Sequence, residues 1–474
     1  MKRIAGGALI CALLATASAH AETFTLNDAL AVAYETNPQL AAARAQLRAT
    51  DEGVAEADAG WRPTINAQGS YGVEQFGFAP ITPNPIPGKT GALNSITEHP
   101  LQGELTVTQP VFRGGRTVAE IGRAKALVRA GRAQLTATEQ TVLLDAVTAY
   151  MDVVRDTAIV KLRQQNVEVL TRQRDSTQAE FNAGSLTRTD VAQSQARLAG
   201  AQSDLTAAQG QLATSRANFM QIIGRPAETL ETLPALPALP GSQDDVIGLA
   251  SKQNPIIINA QENARAADYA IDDSYGALLP QLAVQGQYFY SQGSSGSFGS
   301  SSNPATNSGL GSSGPIHGTA VLGLLNVPIY QGGADEAQVR QTKELHSQAT
   351  QNVEVANRQA IDQATSAWEG FQAAKATIES NQATEKADEI AFQGVSKEQQ
   401  VGGRTILDVL NAEQELLNAQ VAVVTAQRNT VVAAYQVLTA TGALTAKALG
   451  LKVTLYDPVA HYDDDAHRWI GFGD

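Results

Sequence analysis

Apolar positions in this chain follow two periods, and each period occurs twice. After Pro63, Ile65, Ala67, Gly69, Tyr71 and Val73 fall on one face of an extended chain, and Thr64, Asn66, Gln68, Ser70 and Glu74 on the other. The same period of two returns after Pro280, where Leu282, Val284, Gly286, Tyr288 and Tyr290 alternate with Gln281, Gln285 and Gln287. Segments of about ten residues with one apolar face are the pattern of transmembrane β-strands. These two predict strands over 63–78 and 280–290. Return strands are predicted over 101–112 and 318–330. Leu101, Leu105 and Val107 alternate with Gln102, Glu104 and Thr106, whereas Val321-Leu322-Gly323-Leu324-Leu325 is apolar on both faces and leaves its register open. Pro80 to Pro100 and Ser291 to Pro315, rich in proline or in glycine and serine, are expected to be exposed loops.

The other period is helical. No proline occurs between Pro110 and Pro226, nor between Pro328 and Pro458, and both intervals are rich in good helix formers. Each is expected to hold two helices joined by a tight turn: 115–182 then 187–223, and 333–400 then 405–441. At 1.5 Å per residue the longer helices reach about 100 Å, far beyond what an ordinary core needs. Val191, Leu198, Leu205, Leu212 and Phe219 form one heptad row, and Ser194, Ala201, Ala208, Ser215 and Ile222 form a smaller one beside it. Ala412, Ala419, Ala426, Ala433 and Ala440 repeat the small row in the second half. One large and one small row favour a left-handed seam with closely spaced backbones.

The chain is therefore written twice. Asn37-Pro38 recurs as Asn254-Pro255 and Pro63 as Pro280 at one displacement; one residue is then gained. Pro110 and Pro328, Gly114-Gly115 and Gly332-Gly333, Gly184 and Gly402, Asp190-Val191 and Asp408-Val409, and Gly224 and Gly442 share the new one. A duplication of this length constrains architecture more than local propensity does. The expected organisation is a first repeat over 22–224, a proline-rich connector over 225–242, a second repeat over 243–442 and a tail over 443–474.

Composition narrows the class. Lys2 and Arg3, an apolar stretch from Ile4 to Ala15, and Ala19-His20-Ala21 form a secretory signal with cleavage expected after Ala21. Its removal takes the formal net charge from −13 to about −15, which argues against nucleic acid as a partner. Cys11, the single cysteine, lies in that signal, so disulfides play no part. Beyond the signal no apolar run is long enough for a membrane helix, so any membrane crossing must use strands. Four strands cannot close a barrel when the smallest bacterial ones use about eight, and open edges are not tolerated in lipid. Closure therefore requires further copies of the chain. His99, His317, His346, His461 and His467 lack metal-ligand spacing, and neither a phosphate loop nor a nucleophile elbow is present. No catalytic residue, cofactor or metal is expected.

These segments, and above all Pro328-Ile329-Tyr330-Gln331-Gly332-Gly333 and Val401-Gly402-Gly403-Arg404-Thr405-Ile406-Leu407-Asp408-Val409-Leu410, resemble the TolC family of outer-membrane efflux and secretion ducts. The resemblance covers the chain from the signal to about residue 445. It implies a mixed α and β fold: four strands per chain, twelve in a homotrimer, form an outer-membrane barrel continuous with a coiled-coil helical barrel in the periplasm. It also implies a periplasmic adaptor (membrane fusion) protein, an inner-membrane ABC or proton-driven transporter, surrounding outer-membrane lipid, and a cargo of small toxic compounds or unfolded proteins.

In that family the helix turns form the periplasmic mouth and the adaptor dock. The resemblance places Arg404, Asp408, Thr189, Asp190, Gln399 and Asn411 at the gate, with Arg404 reaching toward Thr189 and Asp190 and Asp408 contributing to an acidic constriction. It places Gly184, Leu186, Thr187, Val401, Gly402, Gly403 and Thr405 at the dock. Gln399 stands where the best-studied member has tyrosine and Asn411 where it has a second acid, which implies a looser, less cation-binding mouth. By spacing alone, Thr187 with Asp190 and Thr405 with Asp408 also fit a helix capping box. The alternative to a duct is a periplasmic coiled-coil scaffold or adaptor without a pore, which would share the helices but lack the alternating strands.

Overall fold

The computed structural model describes residues 24–78, 94–232, 234–293, 315–465 and 468–471. The expected signal and most of both expected loops lie outside these residues. Helices α1 (Leu26–Thr36) and α2 (Pro38–Asp58) precede strands β1 (Thr64–Tyr71), β2 (Glu74–Phe78), β3 (Asn94–Glu98) and β4 (Leu101–Arg113). Two long helices follow, α3 (Arg116–Asn182) and α4 (Arg188–Ile223). The order then repeats with α5 (Gln243–Gln253), α6 (Pro255–Ala277), β5 (Gln281–Gln292), β6 (Ile316–Asn326), α7 (Ala334–Gln400) and α8 (Ile406–Ala440), and a short α9 (Ala460–Asp465) lies in the tail. None of the helices among the described residues is long and apolar enough to cross a membrane.

The chain divides into two compact units, one drawn from 1–44, 133–257 and 356–456 and the other from 45–132, 258–355 and 457–474. The first unit is helical, and duplicated residues do duplicated work in it. The Asn37 side chain accepts from the Gln39 amide at the start of α2, while its own amide donates to Ile222 O at the end of α4 (3.0 Å). Asn254 does the same with Ile256 and Ala440 O (3.0 Å). Pro38 and Pro255 open their helices, where a missing N–H costs nothing. The Tyr150 ring packs in the core against Phe219, and its hydroxyl donates to Phe24 O (2.8 Å) and Glu231 O (3.1 Å). A charged network joins α3, α4 and α8. Asp152 accepts from Arg428 and Arg155, and buried Asp156 accepts from Arg155 and from the Ser215 hydroxyl. Such a network costs little only when every member is paired.

The second unit carries an antiparallel sheet of order β1-β4-β5-β6, with β2 and β3 as a separate pair. The cross-copy pairing of β4 with β5 fuses two hairpins into one sheet. Pairing also fixes the faces. Ile65, Val107, Gly286 and Val321 lie in one row and Ala67, Leu105, Tyr288 and Thr319 in the next. Their neighbours on the opposite face include Asn66, Thr106, Gln287 and Ala320. This settles the register of β6: Val321 and Leu325 share the apolar face, while Leu322 and Leu324 fall on the polar one. On that polar face Glu104 accepts from Gln287 (2.8 Å) and Thr106 (3.0 Å).

Two strand expectations need correction. The segment 63–78 is two strands, broken at Gly72-Val73, where the Gly72 amide donates to Pro100 O instead of to a ladder partner. The segment 318–330 begins earlier, at Ile316, and ends at Asn326. Pro328 has no N–H to give a ladder, so the strand stops before it. Its counterpart Pro110 stays inside β4 because a bulge between Pro110 and Phe112 accommodates it.

Candidate functional site

Both long hairpins turn by the same chemistry. Gly184 and Gly402 take φ of +82° and +80°, a conformation that favours glycine. Gly184 N–H reaches Phe181 O and Ser185 N–H reaches Glu180 O; Gly402 and Gly403 repeat this with Gln399 O and Glu398 O. These paired bonds are a Schellman ending that satisfies the last carbonyls of α3 and α7. The next helix then starts on a full capping box. The Asp190 amide donates to Thr187 Oγ1 (3.3 Å), and the Thr187 amide donates to Asp190 Oδ2 (2.9 Å). Thr405 and Asp408 do the same at 3.3 and 3.0 Å.

The capping bonds set the charge of the turns. Hydrogen bonds from the Thr187 side chain and backbone hold the Asp190 carboxyl below the usual range. The Thr405 backbone and side chain do the same for Asp408. Both are therefore anionic wherever the cell envelope is near neutral, and both complement the helix N-terminus. Capping and a contribution to the field at the turn are compatible roles.

The remaining turn residues divide. Val401, Gly402, Gly403, Arg404 and Thr405 are exposed, as are Gly184, Thr187 and Thr189, while Leu186 and Gln399 are partly covered. Arg404 does not reach Thr189 or Asp190 of its own chain; its Nε pairs with Glu398 Oε2 at 2.9 Å. The glycine turn folds residue 404 back over the end of α7, so the nearest carboxylate is local. Asn411, in contrast, joins the two hairpins, since its Oδ1 accepts from Arg197 of α4 at 3.0 Å.

Two residues here escaped the sequence reading. Arg197 is one. Glu413 is the other, a carboxyl only 8 % exposed within the buried stripe Ile406, Leu410, Glu413, Leu417 of α8. Beside it, Leu410 packs with Leu170 of α3 and with Leu198 and Ala201 of α4. Burial pushes the Glu413 carboxyl up to about 7. The heptad stripe in α8 carried the signal for Glu413, because a charge at a seam position breaks the pattern.

The comparisons agree with this architecture. The family model for outer membrane efflux proteins matches the chain twice, over residues 29–225 and 246–443. The outer membrane efflux protein BepC of Brucella suis is 34% identical over 448 residues, covering 94% of this chain and 91% of that one. The outer membrane protein TolC of Escherichia coli is 26% identical over 77% of this chain and 74% of its own. The crystal structure of the Campylobacter jejuni CmeC outer membrane channel superposes with a TM-score of 0.74 at 16% identity, covering 93% of this chain and 89% of that one, a likeness of fold. The doubled family match and the identity across nearly the whole length have one meaning: this chain belongs to the outer membrane efflux protein family and serves as an outer-membrane exit duct.

Proposed function

We propose that three copies of this chain close one twelve-stranded barrel and pass cargo from an inner-membrane transporter to the outside. One observation carries this reading: the four-stranded sheet ends in edge strands β1 and β6, whose outer sides have no strand partner in the chain among the described residues. Each unpaired edge in lipid leaves a row of backbone groups without partners, a cost that only another strand removes. Pairing β6 of one copy with β1 of the next satisfies both. The exposed face that carries Ile65 (68%), Val321 (79%) and Leu325 (67%) then meets hydrocarbon, and Glu104 faces the lumen. A periplasmic adaptor docks on the two turns at Gly184, Leu186, Thr187, Val401, Gly402, Gly403 and Thr405. Behind it stands an ABC or proton-driven transporter, with small toxic compounds or unfolded proteins as cargo. The duct itself catalyses nothing. Electrical recording of the purified protein in a planar bilayer tests this function; discrete conductance steps are expected, and their complete absence would favour a scaffold without a pore.

The mouth lies at the two turns. Arg404, released from Glu398, reaches Thr189 and Asp190 of a neighbouring hairpin and narrows the entrance, while Asp408, Gln399 and Asn411 line it. Arg404→Ser is expected to raise single-channel conductance in the same bilayer assay. An unchanged conductance would leave Arg404 a local partner of Glu398 and nothing more.

A further inference from the structure

The tail contains a cluster that neither the barrel nor the mouth uses. Trp61 directly precedes Arg62 and strand β1, and its carbonyl accepts from the Gln109 side chain at 2.9 Å. Gln109 pairs with Val284 and shares the parity of Leu105 and Val107, so Trp61 stands at the foot of the apolar sheet face. Arg62 then reaches across 406 residues of sequence to donate to Arg468 O at 2.9 Å. The same guanidinium lies 5.1 Å from the centre of the Trp469 ring. Upstream, the tail is held by His461 against buried Asp51 (3.5 Å) and by Tyr462 against Arg132 (5.4 Å). Despite this fastening, Trp469 is 69% exposed and Ile470 is 93% exposed, and Trp61, the residue before Arg62, is 44% exposed.

Two indoles and an isoleucine next to two arginines, continuous with an apolar sheet face, match one environment. Indole rings concentrate at the boundary between hydrocarbon and water, and arginine beside them meets lipid phosphate while its stem stays in the apolar layer. We propose that Trp469 and Ile470, pinned by Arg62, insert into the headgroup boundary of the periplasmic leaflet, with Arg62 and Arg468 against phospholipid phosphates. The tail thereby fastens the foot of the barrel to the membrane. This rests on the reading that the apolar sheet face meets lipid.

The test compares the full-length mature protein with Trp469→Phe in vesicles of phosphatidylethanolamine and phosphatidylglycerol carrying brominated acyl chains. The emission lost in Trp469→Phe is expected to be blue-shifted, quenched by the brominated lipid and insensitive to aqueous iodide. If that emission is instead quenched by iodide and untouched by bromine, the tail lies in water and the proposal fails. If neither agent reaches it, protein covers Trp469, as a second copy would, and the proposal fails equally. Tyr288→Trp, added to Trp469→Phe, separates this from failure of the strand reading. Its added emission must be quenched by bromine if the strands face lipid, whatever the tail does.

Discussion

Gly114→Ala is expected to destabilise the protein severely, while Gly332→Ala, its counterpart in the second copy, costs only backbone strain. Both residues have nearly the same backbone, φ +66° and +67°, so alanine meets the same left-handed strain of about 1–2 kcal/mol at either site. Their surroundings differ. A Cβ on Gly114 would run into the Gly276 carbonyl and lie 2.9 Å from Leu279 Cβ, whereas nothing stands within 4 Å of one on Gly332. Neither obstacle is a flexible side-chain end, because Gly276 belongs to the last turn of α6 and itself faces the Gly114 backbone. Arg116, two residues on, is tied to Asp273 of α6 at 2.9 Å and holds the two segments together. The overlap should add about 3 kcal/mol or more to the strain. Thermal unfolding of the two variants, followed by helical circular dichroism in detergent, measures the difference. Equal midpoints would mean that the close approach of the β4–α3 turn to α6 is wrong.

Glu413→Gln is expected to stabilise the protein above neutral pH and to have no such effect in acid. The Glu413 carboxyl keeps its proton up to about 7 when folded, because burial in the α8 stripe disfavours the charge, while the unfolded chain releases it near 4.5. Between those values the folded state binds more protons than the unfolded one, so stability falls as pH rises. The loss is complete above about pH 7 and amounts to about 3 kcal/mol, since each pH unit between the two values carries about 1.4 kcal/mol. Glutamine never ionises and escapes this loss. Denaturant midpoints of the two proteins should therefore converge below about pH 4.5 and separate progressively up to about pH 7. A pH-independent gap would show that Glu413 is not charged against burial, and that the α8 stripe is wetter than its packing implies.

Much of this architecture can be read from the residues because it rests on local rules. Long proline-free stretches with heptad rows specify long packed helices, and alternation after Pro63 and Pro280 specifies half-exposed strands. The spacing of Thr187 with Asp190, and of Thr405 with Asp408, contains the capping boxes that set the turns. What resists reading depends on neighbours distant in sequence. Val321 to Leu325 could face either way until pairing with β5 chose for them. Pro110 and Pro328 occupy matching positions, yet only the first has a bulge to hold it inside a strand. Its motif puts Arg404 in the turn after α7, but only the folded turn shows Glu398 as its local partner. The bond from Arg62 to Arg468, and the exposed indole it positions, has no local signature at all.

The mass of the mature protein after gentle extraction into detergent, measured by native mass spectrometry, bears most directly on the claim that strand edges β1 and β6 are sealed by neighbouring copies. Three chains per particle is the expected result. A stable particle of one folded chain, with both edges bare, would contradict it.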